Sequence, residues 1–505
     1  MPSKKKSRRR TSTSGSVDVH CHVFNARDVP VRRFVELVYL EKYPGGWLLD
    51  PIIDFIELIM RSGAPTTRQE IDELTQANLV LNRLKPRGTR SNNVRVVSHA
   101  LKQMWVRSPR DRVWVRRHFA PPLRRKFKGK RKLVLMPSDF RQTALYLMGL
   151  SDIGTWIDFA LIYTRWRWEI TQELASLSAT QAHDVFLYTP AILDIGTPLG
   201  EGDTSPIDEQ AAVMSLISQI KGTNYAVHPF VAFDPFRAID DPNAIEDVKN
   251  AVLDQGAIGV KVYPPMGFKP LGNRGPLGGM LDAQMRKLLL FCITEDVPIL
   301  AHCSFSQFVR PAEGACAAPE AWRTLLETTP YQTIRLDLGH CGGPWDFDAN
   351  PQTKTNWTKT VIEMLGVADS KYPNLYADVS DDSWIIESTS NDRDKDRELM
   401  RLLRGFLQTN PAARTRLLYG SDWSLLAREA DADLYYTSMK SRFCSYLNFS
   451  SAEIRGYLGG NAVRFLGLAK KQDGSKPLNR QRLEQFRSDH GLDMSIFNKI
   501  DALNP

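Results

Sequence analysis

The feature that most constrains the fold is a series of short apolar runs in the second half of the chain, each closing on a polar residue before small or turn-forming residues. These runs recur at intervals of about 40 residues with helix-like patterns between them, which is typical of βαβ units in a parallel sheet. Polar residues at the C-terminal ends of such strands are typical of a (β/α)8 TIM barrel. The sequence therefore predicts an α/β barrel with Lys261, His302, His340 and Asp422 at strand ends, and an ordinary strand at 374–380.

Three earlier apolar runs, 16–24, 133–137 and 225–234, bring the predicted strands to eight. Two long, mostly helical insertions, about 26–130 and 138–224, are expected to follow the first and second strands and to stand over the mouth of the barrel. Within them, apolar spacing predicts helices at 31–43, 50–61, 69–84, 144–150 and 205–220. Thr66 or Thr67 is the predicted cap of the helix at 69–84. The predicted organisation is a disordered basic tail at 1–15, a barrel at 16–470, and a C-terminal extension at 471–505 with one helix at 479–489.

A pair of histidines lies in the first predicted strand. His20 and His22 are two residues apart, so their side chains point to one face of the strand while Cys21 points to the other. Two imidazoles about 7 Å apart along a strand can share one metal ion. The pair therefore predicts a metal site at the end of the first strand.

The motifs together resemble the amidohydrolase superfamily, in the amidohydrolase-related branch that also holds nonoxidative decarboxylases. The resemblance covers roughly 17–24 and 133–468, and it implies a metal-dependent enzyme on a TIM barrel. It rests on the His20-x-His22 strand, on Gly259-Val-Lys-Val-Tyr-Pro264, on Ala301-His302, on Leu338-Gly-His340-Cys-Gly-Gly343, on Tyr419-Gly-Ser-Asp422-Trp423, and on the segment 454–467 with its Gly-Asn-Ala sequence.

The residue types suit zinc chemistry, and the resemblance implies the same assignments. Zn2+ accepts imidazole and carboxylate ligands and leaves a position for water in catalytic sites, so the predicted ligands are His20, His22, His302 and Asp422. Metal-bound water ionises near pH 7, which supplies hydroxide at neutral pH. His340 is the predicted catalytic residue that moves the proton, and Asp422 shares that role.

Lys261 leaves two arrangements open. In binuclear amidohydrolases, a carboxylated lysine on the fourth strand bridges two metal ions, and His302 and His340 would then both bind the second ion. The residues around Lys261 resemble instead the mononuclear branch. One metal ion is therefore favoured, with Lys261 pairing with a carboxylate of the protein or binding the substrate.

Three functions are compatible with these residues. The favoured one is a metal-dependent hydrolase that uses a metal-activated water on a small, carboxylate-bearing substrate. A nonoxidative decarboxylase or hydratase, acting on an aromatic or unsaturated carboxylic acid, would use the same metal and the same histidine. A nucleic-acid-binding protein on an inactive barrel is the third, and the intact ligand set argues against it.

Composition limits the protein class and the cellular location that are compatible with the sequence. No apolar stretch reaches the roughly 18 residues that a membrane span requires, and six cysteines in 505 residues do not make a disulfide framework. The prediction is a reduced, cytoplasmic protein with a small-molecule substrate and no membrane partner, and a homo-oligomer stays open.

The net charge of +9 is concentrated in the tail and at 107–132, which holds twelve Lys or Arg against one Asp. Lying in the first insertion, that basic segment predicts either a lid that contacts an anionic substrate or a solvent-facing surface, with nucleic acid disfavoured.

Overall fold

The structure is a computed structural model that describes residues 15–42, 50–118, 137–149, 151–179, 185–196, 204–305, 310–343, 356–386, 393–429 and 431–504. Within these residues nine short strands form two sheets, and every neighbouring pair of strands is parallel. The strands are β1 (Ser16–Cys21), β2 (Val185–Pro190), β3 (Ala226–Val227), β4 (Phe230–Ala232), β5 (Gly259–Val262), β6 (Ile299–His302), β7 (Leu336–Gly339), β8 (Leu375–Val379) and β9 (Leu417–Tyr419).

The two sheets follow the order of the chain. The first contains β1, β2 and β3, and the second runs from β4 to β9. A parallel bridge between Ala191, directly after β2, and Phe230 of β4 connects the sheets. The remaining edge strands of the two sheets are β1 and β9. Near them, the amide of Asp422 donates to the carbonyl of His20 at 2.7 Å. The segment after β9 therefore lies beside the C-terminal end of β1.

The second predicted strand, at 133–137, is wrong where the structure describes it, because Pro137 begins a helix. Residues 133–136 lie outside the described residues. The strand that pairs with β1 is β2 instead, which lies within the range predicted for the second insertion. Periodicity cannot distinguish short apolar runs that form strands from those that do not.

The predicted third strand is present as two strands, β3 and β4, which are separated by His228 and Pro229. Proline has no N–H to donate to a neighbouring strand, so the strand is interrupted there.

Helices occupy the connections between strands. Those between β1 and β2 are Val31–Lys42, Asp50–Gly63, Thr67–Gln76, Arg90–Arg107, Pro109–His118, Pro137–Leu147, Ser151–Ile162 and Arg167–Ala179. The later ones before β9 are Ile207–Ser218, Arg237–Asp240, Ala244–Leu253, Gly278–Thr294, Pro311–Gly314, Pro319–Leu326, Trp357–Gly366, Ala368–Lys371 and Arg393–Thr409. After β9 come Tyr435–Ser438, Cys444–Tyr446, Ser451–Arg455, Asn461–Phe465, Leu478–Asp489 and Ile496–Leu503. None of the described helices is both long and apolar enough to cross a membrane.

Sequence signals set several of these boundaries. Thr66 caps the helix Thr67–Gln76 by accepting from the Gln69 amide, and the Gln69 side chain returns the bond in a capping box. This helix ends at Gln76 rather than at the predicted residue 84. The predicted helix at 144–150 is the end of a longer one that starts at Pro137.

The C-terminal segment packs against the sheets. The predicted helix at 479–489 is present as Leu478–Asp489, and a second helix, Ile496–Leu503, follows it. Ile500 and Leu503 are buried in one cluster with Val17 of β1 and Phe186 of β2. Burial of apolar surface is the main stabilising contribution to folding, so this segment is part of the core. The predicted tail at 1–15 lies outside the described residues except for Gly15.

A buried ion-pair triad holds the start of the long connection between β1 and β2. The guanidinium of Arg167 donates through Nε to Asp28 at 2.9 Å, and its other nitrogens contact Asp28 and Glu70. The three side chains are at most 1% exposed. Asn25 joins them, because its amide donates to Asp28 and its Nδ2 donates to Glu70. The triad therefore ties the loop after β1 to the helices that begin at Thr67 and Arg167.

Replacing Arg167 with alanine is expected to lower the free energy of unfolding by about 3 to 5 kcal/mol, because two buried carboxylates lose their cation. Urea unfolding followed by circular dichroism measures the change. Arg401→Ala is the matched control, since Arg401 pairs with Glu398 at the surface with its side chain 66% exposed. Equal, small effects in both variants would contradict a structural role for the triad.

Candidate metal centre

Three potential ligand atoms converge where β1 and the segment after β9 meet. The Nε2 of His22 lies 3.1 Å from Oδ1 of Asp422, and the Nε2 of His20 lies 3.8 Å from the same oxygen. His20 and Asp422 are buried, and the His22 side chain is 11% exposed. The structure therefore brings together three of the four residues that the sequence predicted as ligands, within the distances that one ion can span.

The second ring nitrogen of each histidine is committed to the protein. Nδ1 of His20 lies 2.9 Å from Oδ2 of Asp378, and Nδ1 of His22 lies 3.0 Å from the carbonyl of Ala191. Since carboxylate and carbonyl oxygens only accept, Nδ1 of each histidine donates in these two contacts, and in a neutral ring this leaves Nε2 as the nitrogen that can coordinate an ion. Such bonds orient a histidine for metal binding. The Nε2 atoms of both histidines thus face Oδ1 of Asp422, and that of His20 also faces the amine of Lys261.

His302 and His340 form a second pair beside the first. His302 ends β6 and His340 follows β7; Nδ1 of His302 lies 3.1 Å from Nε2 of His340. The other nitrogen of His302, Nε2, is buried and has no hydrogen-bond partner among the described residues. His302 is not among the described groups whose ligand atoms all lie within 4.8 Å of one another. Its unpartnered nitrogen is nevertheless a donor atom available to an ion, because a buried polar atom without a partner is costly.

Burial keeps these imidazoles neutral. It lowers the pKa of His20 to about 4, against the opposing attraction of Asp378. Burial likewise lowers the pKa of His302 well below its ordinary value and lowers that of His340. Neutral imidazole is the form that coordinates a metal ion or accepts a proton.

Lys261 lies within the same cluster. Its side chain on β5 is 3% exposed, and Nζ lies 3.0 Å from Nε2 of His20. Burial lowers the pKa of Lys261 to about 8, although Asp378 and Asp422 oppose the shift. No carboxylate oxygen of the described residues lies within 4.0 Å of this amine, so the predicted pairing with a protein carboxylate is not found among them.

Asp378 is the site residue that the sequence did not predict. The sequence predicts only an ordinary strand here, and Asp378 does lie in β8, but it also contacts Nδ1 of His20 and accepts from the His340 amide at 3.2 Å. The Ser380 hydroxyl donates to Asp378 and lies 3.0 Å from Nδ1 of His340. Burial alone would raise the pKa of Asp378, but the interactions with His20, His340 and Ser380 hold it below its ordinary value. Asp378 could have been predicted as a site residue because it lies near the end of an apolar strand. An aspartate in such a position is expected to be buried, and a buried aspartate requires polar partners.

The backbone at two site residues is strained. His340 has a φ of 64° and Asp422 a φ of 49°, in the left-handed region that residues other than glycine rarely adopt. Gly339 allows β7 to approach His20, because a Cβ there would lie 3.2 Å from the ring carbon Cε1. Such strain is often found at functional sites, where the surrounding structure maintains it.

Most of the predicted basic lid lies outside the described residues. Residues 119–136, with Arg124 and Arg125, are not described, and nothing is described of the Arg116 and Arg117 side chains. At the start of the segment, Arg107 is half exposed and pairs with Asp54 at 3.0 Å. The lid therefore stays a prediction.

The donor set suits a divalent ion. Two imidazole nitrogens and one carboxylate oxygen, with an unpartnered buried imidazole nitrogen nearby, are the ligand types that Zn2+ takes in catalytic sites. The second group within reach, made of His20, His340 and Asp378, shares His20 with the first. The first group is the better site, because Asp378 is already engaged by Nδ1 of His20.

Comparison with known proteins gives the family. The family model described as amidohydrolase matches residues 167–468. The matched range includes Lys261, His302, His340 and Asp422, whereas His20 and His22 lie before it. No curated protein matches.

Solved structures similar to this chain include enzymes of several kinds. An amidohydrolase from Burkholderia multivorans with bound zinc is 16% identical, covering 58% of this chain and 87% of its own, with a TM-score of 0.40. The 5-carboxyvanillate decarboxylase from Sphingomonas paucimobilis is 13% identical, with coverages of 59% and 82% and a TM-score of 0.33. The 4-oxalomesaconate hydratase from Rhodopseudomonas palustris is 13% identical, with coverages of 64% and 84% and a TM-score of 0.38. Because the family model matches more than half of the chain, the protein belongs to the amidohydrolase family, in the amidohydrolase-related branch of the superfamily.

Proposed function

We propose that the protein is a metal-dependent hydrolase with one divalent ion, preferably Zn2+, held by His20, His22, His302 and Asp422. The observation that carries the proposal is the convergence of two oriented Nε2 atoms on Oδ1 of Asp422. The unpartnered Nε2 of His302 supports the fourth ligand. An ion in this site would make hydroxide available at neutral pH by lowering the pKa of water.

His340 is the group that moves a proton. Its ring is neutral and lies with its centroid 4.7 Å from that of His20, at the edge of the ligand cluster. Nδ1 lies beside the Ser380 hydroxyl, which in turn donates to the carboxylate of Asp378. Because the Ser380 proton goes to Asp378, the Ser380 oxygen can accept from Nδ1 of His340, and this indirect link to a carboxylate stabilises the protonated ring. His340 can therefore accept a proton and return it to the substrate. The second oxygen of Asp422 can share this role.

Lys261 binds the substrate in this proposal. It is a buried cation without a carboxylate within 4.0 Å among the described residues, so a carboxylate of the substrate can take that place. Its proximity to His20 also bears on the metal count, since carboxylation of Nζ would create a bridge to a second ion. The sequence around Lys261 resembles the mononuclear branch, which favours the free amine and one metal.

The barrel is the fold that this proposal requires. The family supports a closed (β/α)8 arrangement, and so do the contacts that join Ala191 to Phe230 and Asp422 to His20. In a closed barrel, the ends of β1, β5, β6, β7, β8 and the segment after β9 surround one mouth. We propose that the helices between β1 and β2, with 107–132, cover that mouth.

Asp378→Asn is expected to weaken metal binding and lower kcat, each by about 10- to 100-fold, because the bond that orients His20 is weakened. Chelator competition measures metal affinity, and steady-state kinetics measures kcat. Asp369→Asn is the matched control, since Asp369 pairs with Arg416 at the surface with its own side chain 75% exposed. An unchanged metal affinity in Asp378→Asn would show that Asp378 does not position His20.

A second prediction concerns the lid and the anionic substrate. Reversing the charge of Arg116 and Arg117 together, or of Arg124 and Arg125 together, is expected to raise KM by about tenfold in at least one pair. KM should rise because a charge-assisted contact to a carboxylate of the substrate is lost. Once a substrate has been identified, steady-state kinetics measures KM in each variant. Unchanged KM in both pairs would favour arginines that face solvent.

The reaction itself is tested with a panel of small carboxylate-bearing amides, lactones and aromatic acids, incubated with metal-loaded protein and analysed by mass spectrometry. A product that has gained water supports the hydrolase. A product that has lost carbon dioxide would overturn it in favour of a decarboxylase at the same centre. The variant Asp422→Ala, run in parallel, excludes activity from a contaminant.

A further inference from the structure

The segment that follows β9 carries Asp422 and lies against β1, although β1 and β9 belong to different sheets. Gly420 allows the close approach, because a Cβ at this position would lie 2.8 Å from Cβ of His20. The amide of Asp422 donates to the carbonyl of His20 at 2.7 Å. In the other direction, the amide of His22 donates to the carbonyl of Trp423. The backbone that bears Asp422 is therefore in direct contact with the backbone that bears both histidines.

Asp18 is a buried aspartate that the proposed reaction does not use. It lies on β1, two residues before His20, and it is 2% exposed. Both of its oxygens contact Ser421, the residue before Asp422. Oδ1 accepts from the amide of Ser421 at 3.0 Å, and Oδ2 accepts from its hydroxyl at 2.7 Å. A buried carboxylate requires hydrogen-bond donors, and here both come from the residue that precedes a predicted metal ligand.

The hydroxyl of Ser421 links Asp18 to the far side of Asp422. Its oxygen accepts from the amide of Trp423 at 3.1 Å, while its proton goes to Asp18. The carboxylate of Asp18 thus holds the amide before Asp422 directly and the amide after it through the hydroxyl. Asp422 is the residue between these two fixed amides.

The backbone of Asp422 needs such support because its φ of 49° lies in the left-handed region, where residues other than glycine are rarely found. A residue keeps a conformation of this kind only where the surrounding contacts maintain it. The contacts between Asp18 and Ser421 lie directly beside it. Their loss would let the backbone relax and move Oδ1 of Asp422 away from Nε2 of His22, which is 3.1 Å from it.

We propose, building on the metal site inferred above, that Asp18 is a positioning residue of that site. Its oxygens are engaged by Ser421 and do not act as ligands. By holding Ser421, Asp18 keeps Asp422 in the conformation that directs Oδ1 toward the Nε2 atoms of both histidine ligands. Hydrogen bonds outside the ligand shell contribute to metal affinity in this way, because they orient the ligands before the ion binds.

Titration of the full-length protein with Co2+, after removal of bound metal with a chelator, tests the role of Asp18. The visible absorption of Co2+ depends on its coordination geometry. Asp18→Asn keeps the shape of the side chain and removes its charge, so Co2+ affinity should fall by about tenfold or more and the visible spectrum should change. Ser421→Ala removes only the hydroxyl and should act in the same direction. The loss in the double variant should be smaller than the product of the two separate losses, because both changes break the same contact.

Asp501→Asn controls for a loss of stability alone. Asp501 accepts from Nη1 of Arg480 at 2.5 Å, so the change weakens an ion pair of the C-terminal segment and leaves the contacts of Asp18 in place. Urea unfolding followed by circular dichroism compares the stability of the variants. The Co2+ affinity and spectrum of Asp501→Asn should equal those of the unaltered protein.

Unchanged affinity and spectrum in Asp18→Asn and Ser421→Ala, with Co2+ bound by the unaltered protein, would overturn the role of Asp18 and leave the metal site intact. Losses that multiply in the double variant would also overturn it, because Asp18 would then not act through Ser421. An equal loss of affinity in Asp501→Asn would show that Asp18 contributes only to stability. An unaltered protein that binds no Co2+ would overturn the proposed function and the positioning role together.

Discussion

Asp422→Ala is expected to leave a folded chain that holds less than about a tenth of the metal bound by the unaltered protein. Asp422 supplies the carboxylate on which the Nε2 atoms of His20 and His22 converge, so its loss removes one ligand and the negative charge of the site. Elemental analysis of the purified variant measures the metal per chain, and circular dichroism checks the fold. The unaltered protein should carry about one divalent ion, as expected of a single site with this donor set.

The control for this experiment is Asp473→Ala, which removes an exposed aspartate whose partner is Ser475 in a turn. It should retain the full metal content. Full metal retention in Asp422→Ala would show that the ion is held elsewhere. His20→Ala should lose metal in the same way as Asp422→Ala, since its Nε2 faces the same oxygen.

His340→Ala is expected to keep the metal and to lower kcat by about 100-fold or more, as expected when a positioned proton-transfer group is removed. His340 contacts His302 and Ser380 but is not in the group made of His20, His22 and Asp422. Kinetics and elemental analysis on the same preparation separate the two effects. A metal content that falls together with kcat would instead make His340 a ligand, as the binuclear arrangement requires.

His99→Ala controls for the general effect of removing a histidine. His99 is exposed on the helix Arg90–Arg107 and contacts the side chain of Gln103 at 2.9 Å. Both kcat and metal content should stay unchanged in this variant. A similar loss of kcat in His99→Ala and His340→Ala would remove the case for a catalytic role of His340.

The later strands could be predicted from the sequence because each carries its own signal. Lys261, His302 and His340 mark three of them, where apolar runs end in a polar residue before a turn, and the structure has strands at these places. β2 carries no such mark, since 185–190 ends in Thr-Pro. The sequence predicts a strand at the apolar run 133–137 instead, because periodicity alone does not separate a short buried strand from a segment of helix.

The site could be predicted in its ligand types but not in its supporting contacts. Residue spacing placed His20 and His22 on one face, and the structure brings both to Asp422. The position of Asp378 beside His20 depends on which strands are neighbours and on how β8 is registered against β7, and neither follows from the residues of one strand.

The proposed activity depends on one metal ion between His20, His22 and Asp422. Anomalous diffraction from crystals of the purified protein, collected at the absorption edge of the metal found by elemental analysis, tests it most directly. We predict one peak per chain, at about 2.0 to 2.2 Å from Nε2 of both histidines and from Oδ1 of Asp422, with His302 as the fourth protein ligand. No peak at this position, or two peaks about 3.5 to 4 Å apart bridged by a carboxylated Lys261, would contradict the claim.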